Sequence, residues 1–306
     1  MGRPFRLATT SLALLVLLGG VLASNDECGT RPTVDATGSR IIGGHEAQLG
    51  AWPWQVSLQV YRLGLGFLHI CAGSLITNDS VLSAAHCTRK KLSPEIWRAV
   101  FGLHHLYKHS TYAIKRRVRA ITVHTWYNRE TYENDVALFK LSKPIIYNDY
   151  IQPICLPDKS LRLTKDTECY IAGWGMQRED GTGTLQLQEA KIRIIPLDIC
   201  NRYDWYGGSV SSNNLCAGSE TGRVDSCQGD SGGPLMCGFQ NNAKYYLIGI
   251  TSYGYGCGRP KLPGIYVNIS KYRSWVESKL SKTTTASIQS VLIFLTVVWV
   301  TIHLVL

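Results

Sequence analysis

The chain has 306 residues, of which 45% are hydrophobic, so it can bury a core, which excludes a disordered or fibrous protein. A net charge of +10, from 32 Lys and Arg against 22 Asp and Glu, favours acidic partners, yet 18% charged residues is too few for a tail that wraps a nucleic acid. The 10 cysteines contain no Cys-x-x-Cys pair, so we predict disulfides formed in an oxidising compartment, with no metal site and no cofactor.

The first segment of the chain has the pattern of a signal peptide, over residues 1–23. Arg3 and Arg6 precede an apolar run at 12–22, and small residues follow that run. Such a run is too short for a spanning helix, and a buried N-terminal helix is the alternative. We therefore predict that the mature chain is secreted or lumenal.

Short apolar stretches, punctuated by Gly, Pro and Asn, make up the middle of the chain. Residues 54–60 alternate between apolar and polar side chains, as a half-buried strand does. Further strands are predicted at 136–139, 169–172 and 245–250. A helical pattern begins only at Ser270, the predicted N-cap, and its apolar side chains share one face: Tyr272, Trp275, Val276 and Leu280. The whole predicts an antiparallel all-β body closed by one C-terminal helix.

Two kinds of short motif concern the surface of the protein. Asn-x-Ser sequons at Asn78 and Asn268 predict N-glycosylation in the secretory pathway. The basic run Lys115-Arg116-Arg117-Val118-Arg119 is a candidate site for an acidic or sulfated surface. The alternative for this run is a solvated strand face with no partner.

The last segment, 291–306, is almost wholly apolar and follows a small, polar spacer at 281–290. A small-residue site, a polar spacer and an apolar end are typical of a glycolipid (GPI) anchor signal, which is removed. A retained single-pass helix is the main alternative, although 291–306 would span only about 24 Å of a hydrocarbon core of about 30 Å. A buried structural helix is the third interpretation.

The most informative motif is 229–234, Gly-Asp-Ser-Gly-Gly-Pro, in which glycines flank Ser231. They allow a sharp turn that brings amide N–H groups near a substrate carbonyl. The motif also fits the Gly-x-Ser-x-Gly elbow of α/β-hydrolases, but that fold needs a histidine after the serine. Only His303, inside the apolar end, follows Ser231. The elbow interpretation is excluded, and the general base must lie upstream.

Several upstream histidines compete for the role of general base: His45, His69, His86, His104, His105, His109 and His124. His86 is favoured, because small residues precede it and Cys87 can pin its segment. Asp135 leads the apolar strand at 136–139, and a carboxylate buried there needs a partner such as an imidazole N–H. Singly, each residue has a structural explanation; in the order His86, Asp135, Ser231 they indicate nucleophilic catalysis.

With these segments the chain resembles the chymotrypsin/trypsin family of serine proteases. The resemblance covers residues 41–280. Within the family, the chain is most similar to membrane-associated trypsin-like proteases of the transmembrane serine protease 12 and acrosin type. Its motifs include Ala85-His86-Cys87, Asp135-Val136-Ala137-Leu138, Arg40-Ile41-Ile42-Gly43-Gly44, Ala172-Gly173-Trp174-Gly175 and Pro263-Gly264-Ile265-Tyr266. It implies two six-stranded antiparallel β-barrels, roughly 41–150 and 151–270, with a C-terminal helix.

The resemblance also implies a mechanism. Ser231 would be the nucleophile, His86 the base and Asp135 the acid that orients His86. The N–H groups of Gly229 and Ser231 would form the oxyanion hole, and Ser252 would support Asp135. A catalytically silent member that serves as a basic binding protein is the rival interpretation, although such proteins normally lack a catalytic residue.

Specificity and activation follow from the same resemblance. Asp225 would form the floor of the primary pocket, which predicts cleavage after Arg or Lys. The other residues that the resemblance implies for this pocket are Ser226, next to Asp225, and the wall residues Ser252, Gly254 and Gly264. Cleavage of Arg40–Ile41 would free an Ile41 ammonium that pairs with Asp230, and a Cys28–Cys155 bridge would keep the cleaved propeptide (24–40) attached.

The remaining implications concern cysteines, ions and partners. The implied disulfides are Cys28–Cys155, Cys71–Cys87, Cys169–Cys237, Cys200–Cys216 and Cys227–Cys257. We expect no calcium site in the loop at 102–105, which lacks carboxylates. Expected partners are protein or peptide substrates, serine protease inhibitors and a membrane, on the extracellular face of the cell surface or of an acrosomal or other secretory vesicle. Tyr253 departs from the family pattern, because most relatives carry Trp at this position. The departure concerns the finer subsite preferences and not the chemistry.

Overall fold

The computed structural model describes residues 28–34, 44–108, 110–164, 167–176, 179, 181–222, 225–239 and 243–281. The predicted signal peptide, the Arg40–Ile41 bond and the apolar segment at 291–306 lie outside these ranges. Among the described residues, no helix combines the length and the apolar character that crossing a bilayer requires.

Strands dominate the described chain. In chain order they are β1 (His45–Glu46), β2 (Gln55–Arg62), β3 (Gly66–Thr77), β4 (Ser80–Ser83), β5 (Trp97–Phe101), β6 (Ile114–Val123), β7 (Ala137–Leu141), β8 (Glu168–Gly173), β9 (Gln188–Ile195), β10 (Asn214–Gly218), β11 (Pro234–Phe239), β12 (Lys244–Tyr253) and β13 (Gly264–Asn268). The four strands predicted from the sequence correspond to β2, β7, β8 and β12.

The strands form two closed antiparallel barrels. The first has the order β2-β3-β4-β7-β6-β5 and closes through β5 and β2. The second has the order β9-β10-β13-β12-β11-β8, closes through β8 and β9, and carries β1 on the outside of β9. Closure leaves few free strand edges, and free edges could pair with other chains. The predicted fold, two six-stranded barrels, is confirmed.

The prediction that residues 54–60 form a half-buried strand is wrong, because both faces of this stretch are buried. Its apolar side chains fill the first barrel, while Gln55, Ser57 and Gln59 are also buried. Gln55 Nε2 donates to the Ala172 carbonyl of the second barrel at 3.1 Å, and Gln59 Nε2 donates to Ser57 Oγ at 3.0 Å. The polar face therefore points to a hydrogen-bonded interface rather than to water.

Helices are few and short. They are 3₁₀ turns at Ala85–Thr88 and Pro94–Ile96, α1 (Leu197–Cys200) and the C-terminal helix α2 (269–281). The N-cap prediction for α2 is wrong by two residues: Asn268 Oδ1 accepts bonds from the Ser270 N–H at 3.2 Å and from its hydroxyl at 2.7 Å. Asn268 ends β13 and so caps the helix that follows directly. The buried side chains of Tyr272 and Val276 dock α2 on the core.

Five disulfides reinforce the barrels, and they are the pairs that the family resemblance implies. Cys28–Cys155 ties the segment at 28–34 to the body. Backbone bonds add to this tie, since the Gly29 N–H donates to Pro153 O at 2.8 Å and the Tyr245 N–H to Gly29 O at 2.9 Å. The Arg31 guanidinium lies 4.5 Å from the Trp52 ring centroid. Five disulfides indicate folding in an oxidising compartment.

Candidate active site

A histidine and a buried aspartate are joined where two elements of the first barrel meet. His86 lies on the 3₁₀ turn at Ala85–Thr88, which the Cys71–Cys87 disulfide anchors to β3. Asp135 is fully buried just before β7. Its Oδ2 accepts from His86 Nδ1 at 2.7 Å and its Oδ1 from the His86 backbone N–H at 2.8 Å. Because a carboxylate only accepts, Nδ1 carries the proton and Nε2 is left to accept one.

Ser252 from β12 completes the environment of this acid. Its hydroxyl donates to Asp135 Oδ2 at 2.5 Å, and Ser252 is itself buried. Three donors thus surround the buried carboxylate, which offsets the cost of removing its charge from water. The second barrel therefore supplies a bond that holds a first-barrel acid.

Ser231 lies in a loop held between the two barrels. The Ala72 N–H donates to Ser231 O, and the Gly232 N–H donates to Thr251 O, each at 2.9 Å. A Cβ on Gly232 would overlap Ser83 Oγ and lie 3.1 Å from the Ala84 nitrogen. The serine loop is thereby packed against the residues that directly precede His86 and Ser252.

The Ser231 hydroxyl makes no hydrogen bond to His86 in the described part of the chain. Hydrogen bonds between nucleophile and base are often long without substrate and tighten when it binds. The structure thus bonds His86, Asp135 and Ser252 into one network and places Ser231 in the adjoining loop.

Two backbone N–H groups beside Ser231 are free. Within the described ranges, the N–H groups of Gly229 and Ser231 donate to no protein atom. Gly229 has a φ of 102°, and a Cβ there would come 2.8 Å from Gly175 Cα. Only glycine fits this turn, which leaves paired donors available for an oxyanion.

His69 supports the turn at Gly229. It was named from the sequence only as one of several candidates for the general base and was not assigned this role. Its Nε2 lies 3.2 Å from Gly229 O, and its Nδ1 lies 2.8 Å from Ser57 Oγ. Since a carbonyl only accepts, Nε2 carries the proton. Burial lowers the pKa of His69, so the neutral ring is favoured. No spacing signal marks this role, which depends on a strand from the other barrel.

Asp230, next to Ser231, is the second acid of the site and is half-buried. Its Oδ1 accepts from the Gly175 N–H at 2.9 Å and its Oδ2 from the Cys227 N–H at 3.0 Å. A Cβ on Gly173 would overlap the carboxylate, which explains a glycine at that position. Burial raises the pKa of Asp230 to about 6 against these two bonds. The Arg40–Ile41 bond lies outside the described residues.

Asp225 is the third acid of the site and is half-buried. Its Oδ1 accepts from the N–H groups of Ser226 at 2.8 Å and Gly264 at 3.0 Å, and its Oδ2 from that of Gly258 at 2.9 Å. Burial raises the pKa of Asp225 to about 6, and the three backbone bonds oppose this rise. The Cys227–Cys257 disulfide joins its loop to the segment after Gly254.

Glycines keep the space around Asp225 open. A Cβ on Gly264 would lie 2.7 Å from Asp225 Oδ1, and one on Gly254 would lie 3.9 Å from Gly264 Cα. The Ser226 hydroxyl accepts from the Tyr266 hydroxyl at 3.1 Å. A half-buried anion with three fixed donors and no side chain on these walls suits a long cationic side chain.

Aromatic side chains border His86 on the other side. The Tyr132 ring centroid lies 5.7 Å from that of His86 and 5.4 Å from that of Tyr253. Arg89 lies 4.5 Å from the Tyr132 centroid and donates to the Tyr127 hydroxyl at 3.0 Å. Tyr132 and Arg89 were not found from the sequence, because the contacts join a loop to the 3₁₀ turn.

One cluster of metal-ligand types lies at the site. The ligand atoms of Cys71, His86 and Cys87 are within 4.8 Å of one another. Both sulfur atoms belong to the Cys71–Cys87 disulfide, so the cluster offers no thiolate.

Comparisons with known proteins agree with this geometry. The trypsin family model matches residues 41–276. Transmembrane protease serine 11G of Mus musculus is 37% identical over 257 residues, which is 84% of this chain. The match spans 59% of the length of that relative.

Proposed function

The chain belongs to the trypsin family of serine proteases, and we propose that it is a secretory-pathway endopeptidase that cleaves after Arg or Lys. One observation carries the proposal: Asp225, a half-buried carboxylate held by three backbone N–H groups, lies beneath glycine walls, in a chain whose His86 is hydrogen-bonded to Asp135. A nucleophile with its base accounts for peptide hydrolysis, and the pocket acid accounts for the preferred residue.

In the proposed reaction, Ser231 Oγ attacks the scissile carbonyl carbon while His86 Nε2 takes its proton. Asp135 holds the ring orientation and stabilises the imidazolium. The N–H groups of Gly229 and Ser231 bind the oxyanion, and the leaving amine takes the proton from His86. Water then hydrolyses the acyl-enzyme by the same proton route, and Ser231 is regenerated.

The raised pKa of Asp225 supports the specificity. Its charged form is costly without a counter-ion, so a guanidinium or ammonium that enters the pocket offsets that cost. Gly254 and Gly264 leave room for a long side chain, and Ser226 adds a hydroxyl that suits Lys as well as Arg. The substrates are then proteins or peptides, and inhibitors of serine proteases are further partners.

The proposal predicts the cleavage profile of the activated protein. The secreted protein is treated with immobilised trypsin, which is then removed, and the supernatant is incubated with an unbiased peptide library. Mass spectrometry should find cuts after Arg and Lys only, with the untreated precursor as control. A profile dominated by any other residue before the cut would contradict it.

Activation at Arg40–Ile41 is part of the proposal. The new Ile41 ammonium would pair with Asp230, whose pKa burial raises to about 6. An unpaired buried carboxylate costs on the order of 3–5 kcal/mol. Because the ammonium exists only after cleavage, the precursor would hold its pocket and oxyanion loop mainly in an inactive arrangement.

The variant Arg40→Gln should therefore remain inactive after trypsin treatment. We expect hydrolysis of an Arg-amide substrate roughly 100-fold below that of the treated wild type, which matches about 3 kcal/mol. Arg40→Lys is the matched control, because trypsin cuts after Lys, and it should activate fully. An Arg40→Gln protein as active as the treated wild type would rule out this mode of activation.

The remaining proposals concern location. Residues 1–23 act as a signal peptide, and 24–40 form a propeptide that Cys28–Cys155 keeps attached, which makes the enzyme two-chain. The catalytic domain is 41–280, followed by a spacer at 281–290 and membrane attachment through 291–306, as a GPI signal or a spanning helix. Asn78 is exposed in the turn between β3 and β4, which suits a glycan. Asn268 is the second glycosylation candidate.

A further inference from the structure

A row of cations lies on the outer face of β6. Lys115, Arg117 and Arg119 are exposed, whereas the intervening Val118 is buried. Alternate residues of a strand are about 6.6 Å apart, so the three charges extend along roughly 13 Å. We call these three residues the β6 basic row.

The β6 basic row has no counter-charge in the described part of the chain. None of its side chains forms an ion pair or a hydrogen bond there. Glu95, on the 3₁₀ turn at Pro94–Ile96 that contacts β6, accepts instead from the Ser93 hydroxyl. Unpaired cations at this spacing repel one another, so an anion that spans them is favoured.

Neighbouring strands increase the positive charge. Arg98 of β5 is the direct cross-strand partner of Arg117, and like charges in such a pair are destabilising. The Arg98 guanidinium lies 4.1 Å from the Phe67 ring centroid and donates to Gln59 Oε1 at 2.7 Å. A bulge between Val118 and Ala120 leaves Arg119 outside the regular pairing with β7. Exposed Lys143 follows β7 and adds a further cation. The N–H of the adjacent Ser142 donates to Arg117 O.

We propose that the β6 basic row binds a linear sulfated polysaccharide. Guanidinium groups bind sulfate with two parallel hydrogen bonds, as they bind phosphate and carboxylate. A protein partner would instead need an apolar anchor at the centre of its interface. Among the described residues, none of the large exposed apolar side chains lies on β6. A row of charges without an apolar centre fits an extended polyanion.

This site is separate from the proposed catalytic site and does not depend on it. About six residues of β6, roughly 20 Å of strand, separate Arg117 from the loop that carries Tyr132 and Asp135. The polysaccharide would therefore hold the protein at a sulfated surface and leave the cleft open. Small substrates would be cleaved at the same rate with or without it.

The test is binding of the full secreted protein to heparin as a function of NaCl concentration. The variant combines Lys115→Gln, Arg117→Gln and Arg119→Gln. The control combines Lys271→Gln, Arg193→Gln and Arg202→Gln, exposed residues elsewhere that remove the same charge. Both proteins should keep the wild-type Tm, since surface changes of this kind cost little.

The proposal predicts that the slope of log K against log salt is smaller in magnitude by about three for the β6 variant than for the wild type, about one for each lost contact. The control should lose clearly less. Equal losses in the two variants, or an unchanged β6 variant, would overturn the proposal. Displacement by poly-glutamate as effective as that by heparin would also overturn it, in favour of an acidic protein segment.

Discussion

Ser231→Ala is expected to lower kcat for an Arg-amide substrate by about 10⁶-fold, the loss measured when the nucleophile of another Ser-His-Asp protease is removed. The free N–H groups of Gly229 and Ser231 and the pocket remain, so the variant should keep a small rate above that of water. Activated wild-type and variant proteins are compared at saturating substrate. Ser278→Ala, a serine on the exposed face of α2, is the control and should be fully active.

The same experiment tests whether the residues act as a unit. His86→Ala should cost about as much as Ser231→Ala, and the double variant should cost little more, because the residues serve one step. Additive losses would show that His86 and Ser231 act independently. A Ser231→Ala protein with more than about 1% of the wild-type rate would contradict the role of this serine.

Asp225→Ser is expected to abolish the preference for Arg and Lys. A buried charge pair that loses one partner costs about 2–5 kcal/mol, which corresponds to roughly 30- to 4,000-fold in kcat/KM for cationic substrates. Substrates with an apolar residue before the cut should lose little or gain, because the empty pocket no longer contains an anion. The measurement is kcat/KM for paired Arg and Leu peptides of otherwise identical sequence.

Two measurements distinguish a role of Asp225 in substrate preference from a purely structural role. Asp225→Asn keeps the shape and the acceptor oxygen but not the charge, so it should resemble Asp225→Ser in preference while it keeps the wild-type Tm. Burial raises the pKa of Asp225 to about 6, so the free pocket is neutral below about pH 6 and KM for Arg peptides should rise there. Retained Arg preference in both variants would remove Asp225 from the pocket.

The order of Ser231 and the histidines along the chain predicts most of the candidate site. The absence of a usable histidine after Ser231 forces the base upstream, and the rigid setting of His86 and the strand after Asp135 select two residues that the structure bonds together. The glycines around Ser231 were also predictable, because close approach to a carboxylate or a carbonyl leaves no space for a Cβ. The resemblance supplied what spacing cannot: the disulfide pairs and Ser252.

The errors and omissions share one physical cause, contacts between segments distant in the chain. Residues 54–60 look half-buried because Gln55, Ser57 and Gln59 are polar, but partners such as the Ala172 carbonyl cover them. His69 supports the Gly229 turn from another strand, and no periodicity reports this. The cap of α2 moved to Asn268 because β13 runs into the helix without a loop, which a pattern of apolar residues does not show.

The position of a covalent label tests the central claim most directly. An organophosphonate with a guanidinium side chain is incubated with the trypsin-activated protein, and peptide mass spectrometry locates the adduct. We predict one adduct, on Ser231, lost in His86→Ala and strongly slowed in Asp225→Ser. An adduct on another residue would contradict the site, and no adduct on the activated protein would identify a silent binding protein instead.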